Sequence, residues 1–385
     1  MLTQYLFEST GLPIFDSRLF RAGLAAVLAT LLVFLIMPGY IAFLKRIGAT
    51  ADFKDKSPPI MGGLLLVVIV VLVSCGTVIL NGYSIAALAI LVLYSTVGAI
   101  DDIAKIRKKR LVDSGKMTKK DYEEKADGIS STTRLFLYLL FSFAIAIICY
   151  KLIPDLTGHL YVPFVNYNHW HPYLPNWLFI LFITFVVAAS ANGTNFTDGI
   201  DSLASVPIIT GMFFAGAVAY VSGNAIFSNY LNIPYLKGCD ELLPIAMASI
   251  GALLAYLWYN SPPAEIYMGD AGSVGFGALL GIMFILVQAA LFLPIVGIII
   301  LVEALSVVLQ IGHFKMNKIR CGREYADKHR LFLRAPIHHH FQLKWKGKDR
   351  FGDSKPLVNA KIAWRMHLIS FFALIVGLIV FFGLR

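Results

Sequence analysis

The chain has 385 residues, 58% of them hydrophobic and 15% charged, with a formal net charge of +10 and a mean hydropathy of +0.72. An average soluble domain carries roughly 25% charged residues, so this composition excludes a soluble multidomain protein and points to a single all-α integral membrane domain over residues 1–385. The basic residues border apolar stretches and form no domain of their own, which disfavours nucleic acid as a partner and favours membrane lipid or a phosphate-bearing substrate.

In chain order, the segment before Arg18 carries Glu8 and Asp16 and lacks a basic stretch ahead of a short apolar core, so no cleaved signal peptide is expected. About ten transmembrane helices are predicted, over 19–43, 60–80, 84–100, 134–153, 177–194, 203–222, 242–259, 272–290, 292–312 and 363–383, with a very short turn near 291. The connections 44–59, 101–133, 195–202, 260–271 and 313–362, with their flanks, hold 28 of the 33 Lys and Arg residues. The positive-inside bias places them in the cytoplasm and both termini on the extracytoplasmic side. Arg18 and Arg21 run against that assignment. Residues 154–176 have no Lys or Arg but contain Tyr161, Tyr167, Trp170 and Tyr173, an outer-interface composition. Cys75, Cys149, Cys239 and Cys321 are scattered, which indicates neither a disulfide framework nor a zinc site. Gly211, Gly216, Gly277 and Gly281 read as lipid-facing small residues that allow close helix packing, within the chain or between the protomers of a homodimer.

The polar interruptions carry the chemistry, because carboxylates near a bilayer core are functional candidates by default. Asp101 and Asp102 directly follow the apolar run ending at Ile100, at an expected helix end. Adjacent carboxylates repel, and there they face the wrong end of the helix dipole, so Mg²⁺ or Lys105 one turn on is expected to compensate. The segment Asn195-Phe196-Thr197-Asp198-Gly199-Ile200-Asp201 joins two spans without any Lys or Arg; its amides and carboxylates suit a nucleobase, a ribose or the waters of a metal, with helix capping as the alternative. Asn260, Tyr267 and Asp270 share the same predicted membrane face, and Asp270 precedes a Gly-rich helix start whose N–H groups suit phosphate oxygens. Consecutive helical residues point about 100° apart, so of His338, His339 and His340 one or two can address a single site. Lys56 precedes Pro58-Pro59-Ile60-Met61-Gly62-Gly63, where the two glycines permit close backbone approach and Lys56 can reach an anion.

Together, from about Lys45 to Leu384, these segments resemble the polyprenyl-phosphate N-acetylhexosamine-1-phosphate transferases, and Ala335–Phe341 points to the muramoyl-pentapeptide branch of that family. The resemblance implies transfer of phospho-N-acetylmuramoyl-pentapeptide from UDP-N-acetylmuramoyl-pentapeptide to undecaprenyl phosphate at the cytoplasmic face of the bacterial cytoplasmic membrane. UMP is released and Mg²⁺ is required. By motif, Asp101 and Asp102 match the paired acids, one of them the family's candidate base, and Asp270 matches the metal-binding aspartate, with Asp101 expected to help. Asp198 and Asp201, with Lys56 and Tyr267, fall on the uridine side, and His338 and His339 near the diphosphate and sugar. Lys105, Arg134, Asn195 and Asn260 complete the expected substrate contacts. The sequence departs from the family at Pro58 and Ile60, which replace threonines, at Ser202, which replaces a glycine, and at Arg134, which replaces a lysine; Asp113–Asp127 is expanded. Rival readings are a transferase using UDP-N-acetylglucosamine, which the histidines disfavour, a cation-coupled transporter, which the clustering of polar motifs at one membrane edge disfavours, and an inert relative, which the intact acidic set disfavours.

Overall fold

The computed structural model describes residues 2–50, 57–115, 128–167, 169–348 and 354–383; Lys56 and most of Asp113–Asp127 lie outside them. The helices among the described residues are α1 (Leu2–Thr10), α2 (Arg18–Arg46), α3 (Gly62–Thr77), α4 (Gly82–Asp113), α5 (Ser131–Leu152), α6 (Asn176–Thr197), α7 (Ser205–Ser222), α8 (Ala225–Leu231), α9 (Leu242–Asn260), α10 (Asp270–Leu286), α11 (Leu293–Val296), α12 (Ile298–Cys321), α13 (Arg323–Lys328), α14 (Ile337–Trp345) and α15 (Lys355–Gly383). Among the described residues eight helices are long and apolar enough to cross a membrane, and α3 and α10 are shorter apolar ones. Helices answer the physics of the medium, since hydrocarbon offers backbone groups no partner outside the segment itself.

Each predicted span meets a helix, with two differences at the boundaries. Asp101 and Asp102 do not end α4, which runs on as helix to Asp113. Charged side chains from Lys105 onward can continue a helix once it leaves the apolar layer, so hydropathy marks the edge of that layer and misses the helix end. The turn near 291 is longer than expected. It contains Gln288 at φ 55, a 3₁₀ turn over Ala290–Phe292 and the single-turn α11.

α10 is the central helix, buried at every position from Ala271 to Leu286. Its glycines explain how neighbours come so close. A Cβ at Gly277 would stand 2.7 Å from Thr194 Cβ on α6, and one at Gly281 would stand 3.0 Å from Ser190 Cβ. Gly211 and Gly216 press in the same way on Leu280 and Ala246. All four glycines are therefore buried inside the chain and do not face lipid, which corrects the reading from sequence. Far from the basic connections, Phe214 stacks on Phe284 and Phe292, Phe381 meets Phe292 edge-on, and Tyr161 donates a hydrogen bond to Phe381 O at 3.3 Å.

Alternate connections gather at opposite ends of the bundle. One end holds a buried ion pair: Arg21 on α2 meets both carboxylate oxygens of Glu241, at 2.7 and 2.6 Å, and donates to Thr77 O at 2.9 Å. Glu241 also accepts the Ile79 N–H at 2.8 Å, and Arg18 pairs with Asp240 at 2.5 Å. The two arginines that run against the charge bias are thus neutralised locally. The other end carries the acidic and histidine segments.

Candidate active site

On α4 the adjacent acids point to different neighbours, as a rotation of about 100° requires. Asp102 is buried and accepts the backbone N–H groups of Asp270 and Ala271, each at 3.1 Å. It caps α10 from a separate helix, since the N-cap residue of α10 is Gly269, which has no side chain and sits at φ 76. Asp101, also buried, accepts the Ile129 N–H at 2.7 Å. Its Oδ2 lies 2.8 Å from Lys105 Nζ and 3.6 Å from Arg134 Nη1. Asp270 Oδ2 contacts the same two cations at 2.9 and 3.3 Å, and its Oδ1 accepts from Asn195 Nδ2 at 2.9 Å. The expected compensation by Lys105 is present, joined by Arg134 from the first turn of α5.

The Pro58–Gly63 segment holds this arrangement through its backbone. Tyr267 N–H donates to Pro59 O at 2.9 Å, Gly62 N–H to Tyr267 O at 2.9 Å, and Gly63 N–H to Met268 O at 2.8 Å. A Cβ at Gly63 would lie 2.2 Å from Gly272 Cα, so no larger residue fits. Because the clamp uses main-chain groups, it does not depend on the side chains at 58 and 60. Ser202 stands at φ 63, the left-handed region where the family's glycine is unstrained. Two bonds hold it there: its N–H donates to Asn260 Oδ1 at 2.8 Å, and its carbonyl lies 3.1 Å from His367 Nε2.

A cavity of about 350 Å³ opens over these residues, lined by Lys105, Asp198, Asp201, Asn260, Tyr267 and Asp270, with Lys355 and Asn359 of α15 closing one side. Asn260 donates to Ile266 O at 2.9 Å as well as accepting from Ser202, so both ends of its amide brace the walls. Asp201 accepts the Ala264 N–H at 3.3 Å, and burial raises its pKa above the ordinary carboxylate range. Burial raises Asp198 further, aided by repulsion from Asp270, Asp102 and Asp201. A carboxyl that holds its proton can donate as well as accept a hydrogen bond.

The three histidines of α14 diverge. His338 is fully buried; its Nδ1 lies 3.0 Å from Glu303 Oε2 on α12, and its ring abuts Gly199, where a Cβ would sit 2.2 Å from Nε2. It lies behind the Asp198–Asp201 loop and does not line the cavity. His339 points to an adjoining cavity and contacts Gln342 Oε1 at 2.6 Å. His340 accepts the Leu333 N–H at 3.2 Å.

Glu303, Lys355 and Asn359 are the site residues missing from the sequence reading. Glu303 had a signal, as the lone acid in the apolar run from Ile298 to Gly312. Lys355 and Asn359 had none, because they open a helix after the long basic connection.

Among the described residues no group of three or more His, Cys, Asp or Glu side chains is placed to hold a metal ion. Asp101 Oδ2 and Asp270 Oδ2 nevertheless converge on one point, Lys105 Nζ, and Asp102 is committed to backbone N–H groups. Two hard oxygens fit Mg²⁺, which is commonly held by one or two carboxylates and completes its shell with water and substrate phosphate.

Residues 84–288 match the family described as Glycosyl transferase family 4. Over nearly the whole length, the chain is 33% identical to the phospho-N-acetylmuramoyl-pentapeptide-transferase of Nitratiruptor sp. (95% of this chain, 96% of the relative) and 34% identical to that of Campylobacter curvus (97% and 98%). The chain belongs to the phospho-N-acetylmuramoyl-pentapeptide transferases. A Geobacter member is 36% identical over 86% of this chain and 87% of its own. Membership makes this a multi-pass membrane enzyme.

Proposed function

We propose that the chain transfers phospho-N-acetylmuramoyl-pentapeptide from its UDP carrier to undecaprenyl phosphate in the bacterial inner membrane, yielding UMP and lipid I for peptidoglycan synthesis. The observation that carries this assignment of the site is the meeting of Lys105 and Arg134 with Asp101 and Asp270 at the N-terminus of α10. Two anionic reactants must approach one another, and their mutual repulsion is the first barrier. Two fixed cations and the positive end of a helix dipole lower it where the diphosphate would lie. Mg²⁺, held by Asp270 with Asp101, would neutralise diphosphate charge and stabilise the departing UMP.

An oxygen of the acceptor phosphate attacks the sugar-bearing phosphorus in line, and the bond to the UMP phosphate oxygen breaks. A phosphate monoester has its second pKa near 6, so the acceptor is mostly deprotonated at neutral pH and base catalysis contributes little. Positioning dominates: Asp102 fixes α10, Asn195 orients Asp270, and Asp198, Asp201 and Tyr267 form the nucleoside side of the cavity. An apolar groove of about 300 Å³ between α6 and α12, lined by Phe182, Phe185, Pro294, Ile300 and Leu301, suits the polyprenyl tail. It follows α6, whose last turn carries Asn195. With the cavity at the end where the basic connections gather, the site faces the cytoplasm and the termini lie outside.

The test is incubation of purified protein with UDP-N-acetylmuramoyl-pentapeptide, undecaprenyl phosphate and Mg²⁺, with detection of UMP. Asp270→Asn is expected to abolish turnover. Near-normal UMP release by that variant at saturating Mg²⁺ would refute the assignment, and turnover with UDP-N-acetylglucosamine alone would replace the donor.

A further inference from the structure

A second cavity, of about 370 Å³, adjoins the active site and shares Gly199, Lys355 and Asn359 with it. Arg334, Lys346 and Lys355 line it, and among the described residues no Asp or Glu does. Like charges around one concave space repel each other and concentrate anions there. The neutral groups add direction. His339 Nδ1 lies 2.6 Å from Gln342 Oε1, and Gln342 Nε2 donates to Asn359 Oδ1 at 2.7 Å. An amide oxygen only accepts, so His339 carries its proton on Nδ1. Burial holds the His339 pKa down to about 4, against the opposing effect of the hydrogen bond it donates to Gln342, so the ring is neutral at pH 7. His339 Nε2 is then an acceptor and Asn359 Nδ2 a donor, beside three cations. Peptide N–H, peptide C=O and carboxylate are the matching groups.

We propose that this second cavity holds the peptide of the donor, with Arg334 and Lys346 binding its C-terminal carboxylate. The proposal rests on the function given above. In a muramoyl-pentapeptide the muramoyl group acylates the peptide's N-terminus, so the C-terminal carboxylate is an anion the donor carries far from its diphosphate. Lys105 in the first cavity, with Arg134 beside it on Asp270, already matches the diphosphate. Five extended residues span about 17 Å, too long to share a cavity of about 350 Å³ with nucleotide and sugar. Lys355 stands between the two spaces, where sugar passes into peptide.

Arg334→Gln and Lys346→Gln, singly and together in the full chain, test this through kcat and KM from UMP release. Two donors are compared, UDP-N-acetylmuramoyl-pentapeptide and the same molecule with a C-terminal carboxamide. For the acid donor the double variant should raise KM about fivefold to tenfold, as the loss of two solvent-accessible ion pairs implies, with kcat within twofold of wild type. Wild type should show a similar rise in KM with the amide donor, and the double variant should no longer tell the donors apart. Equal penalties for acid and amide, or an unchanged KM, would overturn the proposal. A penalty seen only in phosphatidylglycerol vesicles and absent from phosphatidylcholine vesicles would also overturn it, assigning the cations to lipid headgroups. A wild-type protein that releases no UMP from either donor counts against the functional reading itself. Wild-type turnover that is blind to the carboxylate counts against the peptide site alone.

Discussion

Asp102→Asn separates a carboxylate that holds α10 from one that acts on substrate. In the native chain both Asp102 oxygens accept backbone N–H groups of α10, from Asp270 and Ala271 at 3.1 Å. Asparagine retains one acceptor and turns an NH₂ group toward the other N–H. The change removes one charge-assisted hydrogen bond, about 1.5–3 kcal/mol, and a charge–dipole attraction of up to about 2 kcal/mol. Relief from burying a carboxylate offsets part of that. A net loss of about 2–4 kcal/mol, if it falls on the placement of Asp270, lowers turnover roughly 30- to 1,000-fold. The expected signature has three parts: slower UMP release, a higher Mg²⁺ concentration for half-maximal rate, and a lower thermal midpoint in detergent. A variant with much slower turnover but wild-type Mg²⁺ half-saturation and thermal midpoint would refute the capping role and make Asp102 a group that touches substrate.

The other perturbations address the supports of the site. Glu303→Gln keeps an acceptor for His338 Nδ1 but removes the charge beside it, and we expect kcat to fall at least about tenfold, as for loss of a buried charge-assisted bond. A double variant with His338→Gln should be no slower than the worse single variant, whereas additive losses would show that the two residues act separately. His339 has its pKa lowered by burial from 6.5 to about 4, so the unfolded chain binds more protons between those values. Its contribution to stability is complete above about pH 6.5 and fades as pH falls toward 4; His339→Gln should flatten the decline of the thermal midpoint across that window, and an unaltered slope would contradict it. Glu241→Ala strands the buried Arg21 and should cost about 3–5 kcal/mol, with Arg21→Met in the same chain recovering much of it. A loss under about 1 kcal/mol for the single change, measured by thermal inactivation in detergent, would show that the pair is screened.

Spans and acidic motifs were legible because both depend on local composition. A run of about twenty apolar residues must be helical in hydrocarbon, and a carboxylate beside such a run needs a counter-charge. What escaped the sequence depends on pairing at long range. Nothing near Arg21 announces Glu241, 220 positions away, so two neutralised arginines read as exceptions to the charge bias. Nothing near Gly277 or Gly281 announces Thr194 and Ser190, so buried contacts of α10 read as lipid-facing ones. Lys355 and Asn359 reach the cavity only because α15 folds back across it.

The acid pair shows how one local fact yields two distant consequences. Had α4 ended at Ile100, Asp101 and Asp102 would both lie on an irregular loop, free to turn toward the same cation. Because the helix continues, the rotation of about 100° between neighbours fixes them on different faces. Asp101 then meets Lys105, one turn on, and Arg134 from α5, while Asp102 meets the open N-terminus of α10. Asp270 joins both arrangements: its N–H is held by Asp102, and its carboxylate shares the cations of Asp101. The two acids are therefore not interchangeable. Asp101→Asn removes charge from the cation cluster but leaves the cap of α10 intact, so the thermal midpoint and the Mg²⁺ response that Asp102→Asn moves together should come apart.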